Sequence, residues 1–329
     1  MAKKSKQASR PFKIIKHSYF WVGISTLIML TSLFFFFLNL RLSVEFTWGI
    51  ELSLQDITNQ EDLQQAIQDS ILAEWFEQPQ VNINQGEHAT NLLVALPFEN
   101  DDQVKEVSAL VSSTLIEQGF ISSEDDIIGS SLNGPSVSGY MKSSAIQAIV
   151  IGLIIISIYI MFSFAGVRKH ISPLTLWGVT ISSMLFATIV AAGSYGVWMM
   201  VNHTIALDTI FIISALTVMG YSINDTIIVL DRVRENIAAQ HKDLASGNKL
   251  YGQMIEDSIW QTMRRSLGTG FTTILVAVTM MIFGTDLLQK FAFVVGFGVL
   301  AGMFSSLFFA SPLTYLLLKW KYKKEHKKL

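Results

Sequence analysis

The stretch Leu216-Thr-Val-Met-Gly-Tyr-Ser-Ile-Asn-Asp-Thr-Ile-Ile-Val-Leu-Asp-Arg-Val-Arg-Glu-Asn236 decides how the chain is read. With the apolar residues before it, it forms a helix long enough to cross a bilayer. That helix carries an aspartate, Asp225, in its interior, and a mixed-charge segment takes over at Asp231. At about 100° per residue, Ser214, Thr217, Tyr221, Ser222, Asn224 and Asp225 share an arc of roughly 160°, with Asp225 near its middle. A carboxylate at bilayer depth costs roughly 2.5 to 3.5 kcal/mol on insertion scales, so it persists only beside a partner, water or a proton. Asp225 is therefore the leading candidate for function.

Composition places the rest of the chain around that helix. Of its 329 residues 50% are hydrophobic and 15% charged, too apolar for an ordinary soluble domain of this length and expected of a membrane protein. The net charge of −2 conceals a segregation. Residues 41–142 hold 17 acidic and 3 basic side chains, and the remainder holds 9 acidic and 21 basic. Two compartments are implied. There is no cysteine, which excludes disulfides and thiolate chemistry, and the six histidines are scattered rather than clustered for a metal.

Residues 1–18 are basic and precede an apolar run at 19–40, which lacks a small-x-small cleavage site and reads as a retained first span. Residues 41–142 read as a soluble domain. Apolar residues alternate from Leu42 to Leu54, predicting one strand. A helix follows at 59–76 with Leu63, Ala66, Ile67 and Ile71 inward and Asn59 and Asp62 as capping candidates. Strands at 81–84 and 91–98 lead to a helix at 101–118 presenting Val104, Val107, Val111 and Leu115, with Gly119 at its C-terminal cap. A last strand at 126–132 completes a βαββαβ order, ferredoxin-like and silent about function by itself.

A turn at 133–139 leads to a five-span region, 143–318, with spans at 143–165, 173–199, 207–230, 267–285 and 290–318 and a loop at 231–266. Arg168 and Lys169, the basic residues of the 231–266 loop, the tail at 319–329 and the N-terminus then share one side, the cytoplasm. The acidic domain lies on the other. In the fifth span Gly268, Gly270, Thr269, Thr272 and Thr273 cluster near the start, and in the sixth Gly298, Gly302 and Ser306 recur at every fourth residue, a pattern that allows helices to approach closely.

Several chemistries lack support. The sequence has no phosphate-binding loop, zinc helix or dinucleotide fingerprint, and no nucleic-acid contact or cofactor is expected. Gly220-Tyr221-Ser222-Ile223 has the look of a nucleophile turn, but every histidine falls outside the hydrophobic spans or at their edges, away from a base's position. Asp208 and Asp225 share one helix about 26 Å apart and cannot form an aspartyl dyad.

The segment from Gly220 to Asn236 resembles the fourth-span signature of the SecF family, the smaller half of the SecD–SecF accessory complex of the bacterial Sec translocon. Gln261-Thr262-Met263-Arg264-Arg265-Ser266 leading to Thr272-Thr273, and Gly134-Pro135-x-Val137, resemble further motifs of that family. Two departures stand out. The family's Asp-Phe-x-Gly-Gly reads Glu45-Phe46-Thr47-Trp48-Gly49, and its Arg-Thr reads Arg265-Ser266. The resemblance implies an α-helical integral membrane protein of six transmembrane helices, an RND-like half, with one external α+β domain. It implies no enzyme, but an accessory subunit in the bacterial cytoplasmic membrane that uses the proton or sodium gradient to assist late steps of protein export. Its partners would be a six-span SecD-type protein, the SecYEG translocon, a YidC-type insertase and the exported preprotein. Asp225 would bind and release the ion, Arg265 would pair according to its protonation, and Asn224, Ser222 and Tyr221 would line the site. The competing readings are half of an ion-coupled exporter of small molecules or lipids, and a membrane scaffold.

Overall fold

The computed structural model describes residues 13–43, 45–54, 60–73, 80–85, 90–96, 100–164, 171–202, 205–239 and 248–325. Among them lie six helical stretches long and apolar enough to span a membrane, which makes the chain a multi-pass membrane protein. Two units divide the chain, one of 1–38, 151–197 and 213–329, the other of 39–150 and 198–212.

In the first unit, helix α1 (Ser18–Leu38) follows a short 3-10 turn, α4 (Pro135–Phe164) and α6 (Thr209–Ala239) enter it from the second, and α5 (Pro173–Val201) begins in it and ends in the second. Helix α7 (Asn248–Phe283) follows, and then α8 (Asp286–Phe304) and α9 (Ser311–Glu325), joined without a break by a π-helical turn, Ser305–Ala310. The most apolar stretch of α6 is 56% buried and that of the last span 61%, against 6% for α1 and α4, so α6 and the last span form the centre. Close approach depends on missing side chains. A Cβ added to Gly193 of α5 would lie 2.5 Å from the Ser32 Cα of α1, and one on Gly298 of α8 would lie 2.2 Å from Val218 of α6. Phe186 stacks on Phe304 and Phe309 beside these contacts.

At the start of α1, buried Glu256 of α7 accepts hydrogen bonds from the amides of Ile14 and Ile15 at 3.0 and 2.8 Å and from the Trp260 indole at 3.1 Å. Those amides open a helix and have no partner within it, so a carboxylate from the far end of the chain satisfies them. The expected loop at 231–266 is instead mostly helix. Asp231–Arg234 and Arg232–Glu235 ion pairs lie along this part of α6, and bonds from Arg232 and Asn236 to Gln261 join it to α7.

The second unit contains strands β1 (Gly49–Leu54), β2 (Gln80–Gln85), β3 (Thr90–Ala95) and β4 (Ile127–Asn133) and helices α2 (Gln60–Ala73) and α3 (Asp101–Glu117). The sheet is antiparallel in the order β2-β3-β1-β4, with Leu52 opposite both Leu92 and Ser130. Its core joins Ile50, Leu52, Leu54, Leu92 and Val94 to Leu63, Ile67 and Ile71 of α2 and Val104, Val107, Val111 and Leu115 of α3. Asn100 caps α3, accepting from the Gln103 amide, and Gly119 ends it at φ +75, a backbone conformation that suits glycine.

Two boundaries move. The alternation from Leu42 predicts a strand, but residues 45–48 turn, with the Phe46 and Thr47 amides on the Ser43 carbonyl, and β1 begins only at Gly49. The expected turn at 133–139 is the first turns of α4, with Pro135 at its first position, where a missing amide is harmless. A Cβ on Gly134 would overlap the exposed Asp101 carboxyl, which would have to turn aside. Asn59 and the far end of the 59–76 helix lie outside the described residues.

Gly193→Ala is expected to destabilise the protein by about 1 to 3 kcal/mol through backbone displacement. Gly302→Ala, whose Cβ would meet Ser222 at 3.5 Å, is expected to be neutral or to gain up to about 1 kcal/mol. Thermal unfolding of the purified variants in detergent checks the contrast, and equal stability of the two would contradict the packing described.

Candidate functional site

Asp225 lies in α6 with 4% of its surface exposed. Two hydroxyls hold its carboxylate. Ser266 Oγ of α7 is 2.5 Å from each carboxylate oxygen, and Ser306 Oγ in the π-helical turn donates to Oδ2 at 2.7 Å. The row Gly298, Gly302, Ser306 lies along the row Val218, Ser222, Asp225; a Cβ on Gly298 would collide with Val218, whereas Gly302 only lies in ordinary contact with Ser222, and Ser306 then brings its hydroxyl to the acid. Ser305 and Ser306 both point inward, to Ser183 and to Asp225. The Ser311 hydroxyl donates to the Ser306 carbonyl at 2.9 Å, supplying that carbonyl with a donor in the widened turn.

A second group of hydroxyls adjoins the first. Ser183 of α5 lies 2.9 Å from Thr226 and 2.8 Å from Ser305, and all three are buried. Thr226 also donates to the Ser222 carbonyl. The Ser222 hydroxyl is buried and has no hydrogen-bond partner among the described residues. A buried donor without an acceptor is uncommon and sits here one turn before the carboxylate.

The expected polar arc is divided in the structure. Ser214, Ser222 and Asp225 are buried, whereas Thr217 and Asn224 at the other edge are exposed. Tyr221 lies between, its hydroxyl donating to the Thr269 carbonyl at 2.8 Å and sharing a hydrogen bond with Thr273 Oγ1. Arg265 is exposed, and among the described residues it makes no ion pair with Asp225. The neighbour that reaches the acid is Ser266. Of the residues that touch or flank Asp225, the small-residue stripe in the sequence marks Ser306, and the departure from Arg-Thr marks Ser266. Ser183 and Ser305 carry no such signal, because a lone serine in an apolar span reads as a packing residue. No group of three or more histidine, aspartate or glutamate side chains able to hold a metal occurs among the described residues.

Carboxylate and hydroxyls together can accept a proton or a small cation and can exchange hydrogen bonds among three helices.

Residues 121–320 match the family model of the protein export membrane protein SecD/SecF, C-terminal part. The protein translocase subunit SecF of Sebaldella termitidis is 30% identical over 311 residues, covering 94% of this chain and 92% of its own length. The fused translocase subunit SecDF of Thermus thermophilus is 29% identical over 229 residues, 70% of this chain and 27% of that longer one. The crystal structure of SecDF from Thermus thermophilus superposes with a TM-score of 0.72 at 24% identity, covering 95% of this chain and 39% of the fused chain, which shows a common fold. The chain thus belongs to the SecD/SecF family of protein export membrane proteins, on its SecF side.

Proposed function

We propose that this protein is an accessory subunit of the Sec protein-export machinery in which proton or sodium binding at Asp225 drives late steps of translocation. The observation that carries the reading is a buried carboxylate met only by neutral hydroxyls. Ser266 and Ser306 give it hydrogen bonds but no opposite charge, and among the described residues no cation pairs with it. Burying a charge without a counterion is costly, so the site favours the arrival of a proton or a cation. One charge crossing 100 mV supplies about 2.3 kcal/mol, enough to bias a two-state movement roughly fiftyfold.

A six-span partner of the SecD type supports this scheme. Thr217, Gly220 and Asn224 of α6 and Arg265, Gly268, Thr269 and Thr272 of α7 are exposed. Lipid serves such a surface poorly, whereas a second helical half offers hydrogen bonds and an acid for Arg265. The fusion of SecD and SecF in relatives supports the same pairing. The βαββαβ order and the β2-β3-β1-β4 sheet support a ferredoxin-like domain, and its acidic excess supports an external, periplasmic position with both termini cytoplasmic. There it would meet the exported chain, with SecYEG and a YidC-type insertase as neighbours in the membrane.

Asp225→Asn keeps the volume and removes the charge. It is expected to insert and fold yet lose gradient-dependent export, measured as precursor release from membrane vesicles with and without an imposed gradient. Export at the wild-type level would refute the assignment. Ser266→Ala leaves the carboxylate one donor fewer and is expected to reduce the same increment by about fivefold to a hundredfold, from the roughly 1 to 3 kcal/mol of such a bond. Ser266→Thr, which keeps the hydroxyl, is expected to restore it. The partner is tested by co-purification in mild detergent, and a stable monomer active in export would argue against it.

A further inference from the structure

Residues 41–47, which lead from α1 to β1, hold the beginnings of two other helices. Leu42 pairs in parallel with Leu207: the Leu207 amide donates to the Arg41 carbonyl at 2.7 Å, and the Ser43 amide donates to the Leu207 carbonyl at 2.9 Å. Glu45 Oε2 accepts from the amide of Thr209, the first residue of α6, at 2.7 Å. The carbonyl of Thr47 accepts from the Ser138 hydroxyl, in the opening turns of α4, at 2.9 Å. Phe46, Ile205 and Leu207 are buried around these bonds.

The start of α6 already has a local cap. Asp208 Oδ1 accepts from the Phe211 amide at 2.9 Å, the usual arrangement for the residue before a helix. Glu45, from 164 residues away, satisfies a different open amide of the same helix start, so the end of α6 is held from outside its own segment. It places negative charge at the positive end of the α6 dipole and joins that end to the segment entering β1. Along the chain alone, α6 reaches the sheet only by way of α5 and α4, and the attachments through α1 and α4 begin on helices other than the one bearing Asp225. Glu45 and the Leu42–Leu207 bridge provide the short route.

We propose that Glu45 is a positioning residue for ion-coupled export. Together with the Leu42–Leu207 bridge it clasps the N-terminus of α6 to the entry of β1, so that a shift of the helix bearing Asp225 is delivered to the sheet. This rests on the ion-coupling reading of Asp225. Glu45→Ala removes the acceptor, whereas Glu45→Gln keeps an acceptor oxygen without the charge.

The test uses the full complex with its partner in membrane vesicles, with proton and sodium gradients imposed in turn. Export of a precursor is measured with and without the gradient, alongside Asp225→Asn. For Glu45→Ala, the gradient-driven increment is expected to fall at least about fivefold while gradient-independent export and the amount of complex stay at wild-type levels, with Glu45→Gln recovering most of the increment. A normal increment in Glu45→Ala overturns the clasp, and if Asp225→Asn is defective in the same assay the ion reading stands without it. A defective Glu45→Ala beside a normal Asp225→Asn retains the clasp and removes the ion from Asp225. An equal fall of gradient-driven and gradient-independent export marks Glu45 as structural only and overturns the proposal, as does failure of Glu45→Gln to recover.

Discussion

A carboxylate buried among helices, with hydroxyls for partners and no countercharge among the described residues, is the constraint to which the membrane part is fitted. Asp225 needs donors close by, because its desolvation is expensive and lipid supplies none. Donors on two other elements, Ser266 and Ser306, therefore have to reach it within hydrogen-bond distance. That requirement fixes how near the helices stand. Gly298 lets α8 approach α6 at Val218, and the π-helical turn then presents two successive serines inward. Hydroxyls suit the role because each can donate to the charged acid or accept from the neutral one, so a proton exchanges the direction of a contact without leaving the acid unpartnered.

This choice of partner also distinguishes the site from a structural ion pair. An arginine locked against Asp225 would hold one protonation state and one geometry. Arg265 is instead exposed on α7, and the residue after it makes the contact. Adjacent residues on one helix thus address two surroundings, the interior through Ser266 and the outside through Arg265. A small motion of α7 changes both at once.

Much of this was legible in the residues because strong physical costs leave strong patterns. Long apolar runs locate the spans, and a lone aspartate in one of them directs attention to the buried hydroxyls that surround it. The alternation of Ile50, Leu52 and Leu54 and the spacing of Val104, Val107, Val111 and Leu115 place the core of the sheet unit. What escaped reading are contacts between distant segments whose residues are ordinary where they stand. Glu256 reaching the amides of Ile14 and Ile15, and Glu45 reaching that of Thr209, leave no local periodicity. Nor does Ser183. The alternation from Leu42 misled for a related reason: Leu42 does pair as a strand would, but with Leu207 rather than with the sheet. Hydrophobic spacing reports which face is buried and not which neighbour buries it.

Magnitudes limit how such a device can work. The roughly 2.3 kcal/mol available from one charge crossing 100 mV is comparable to one or two hydrogen bonds to a charged group. It is small beside the packing of α6 against the last span, so an ion at Asp225 can exchange the contacts of Ser266 and Ser306 but cannot unpack the helices that carry them. The elements must then move as stiff bodies, and useful displacement depends on bonded connections at their ends rather than on deformation between them. Under the coupling proposed above, tight caps and backbone bridges at the start of α6 would be what so weak a driving force requires, since slack there would consume the displacement before it reached the sheet.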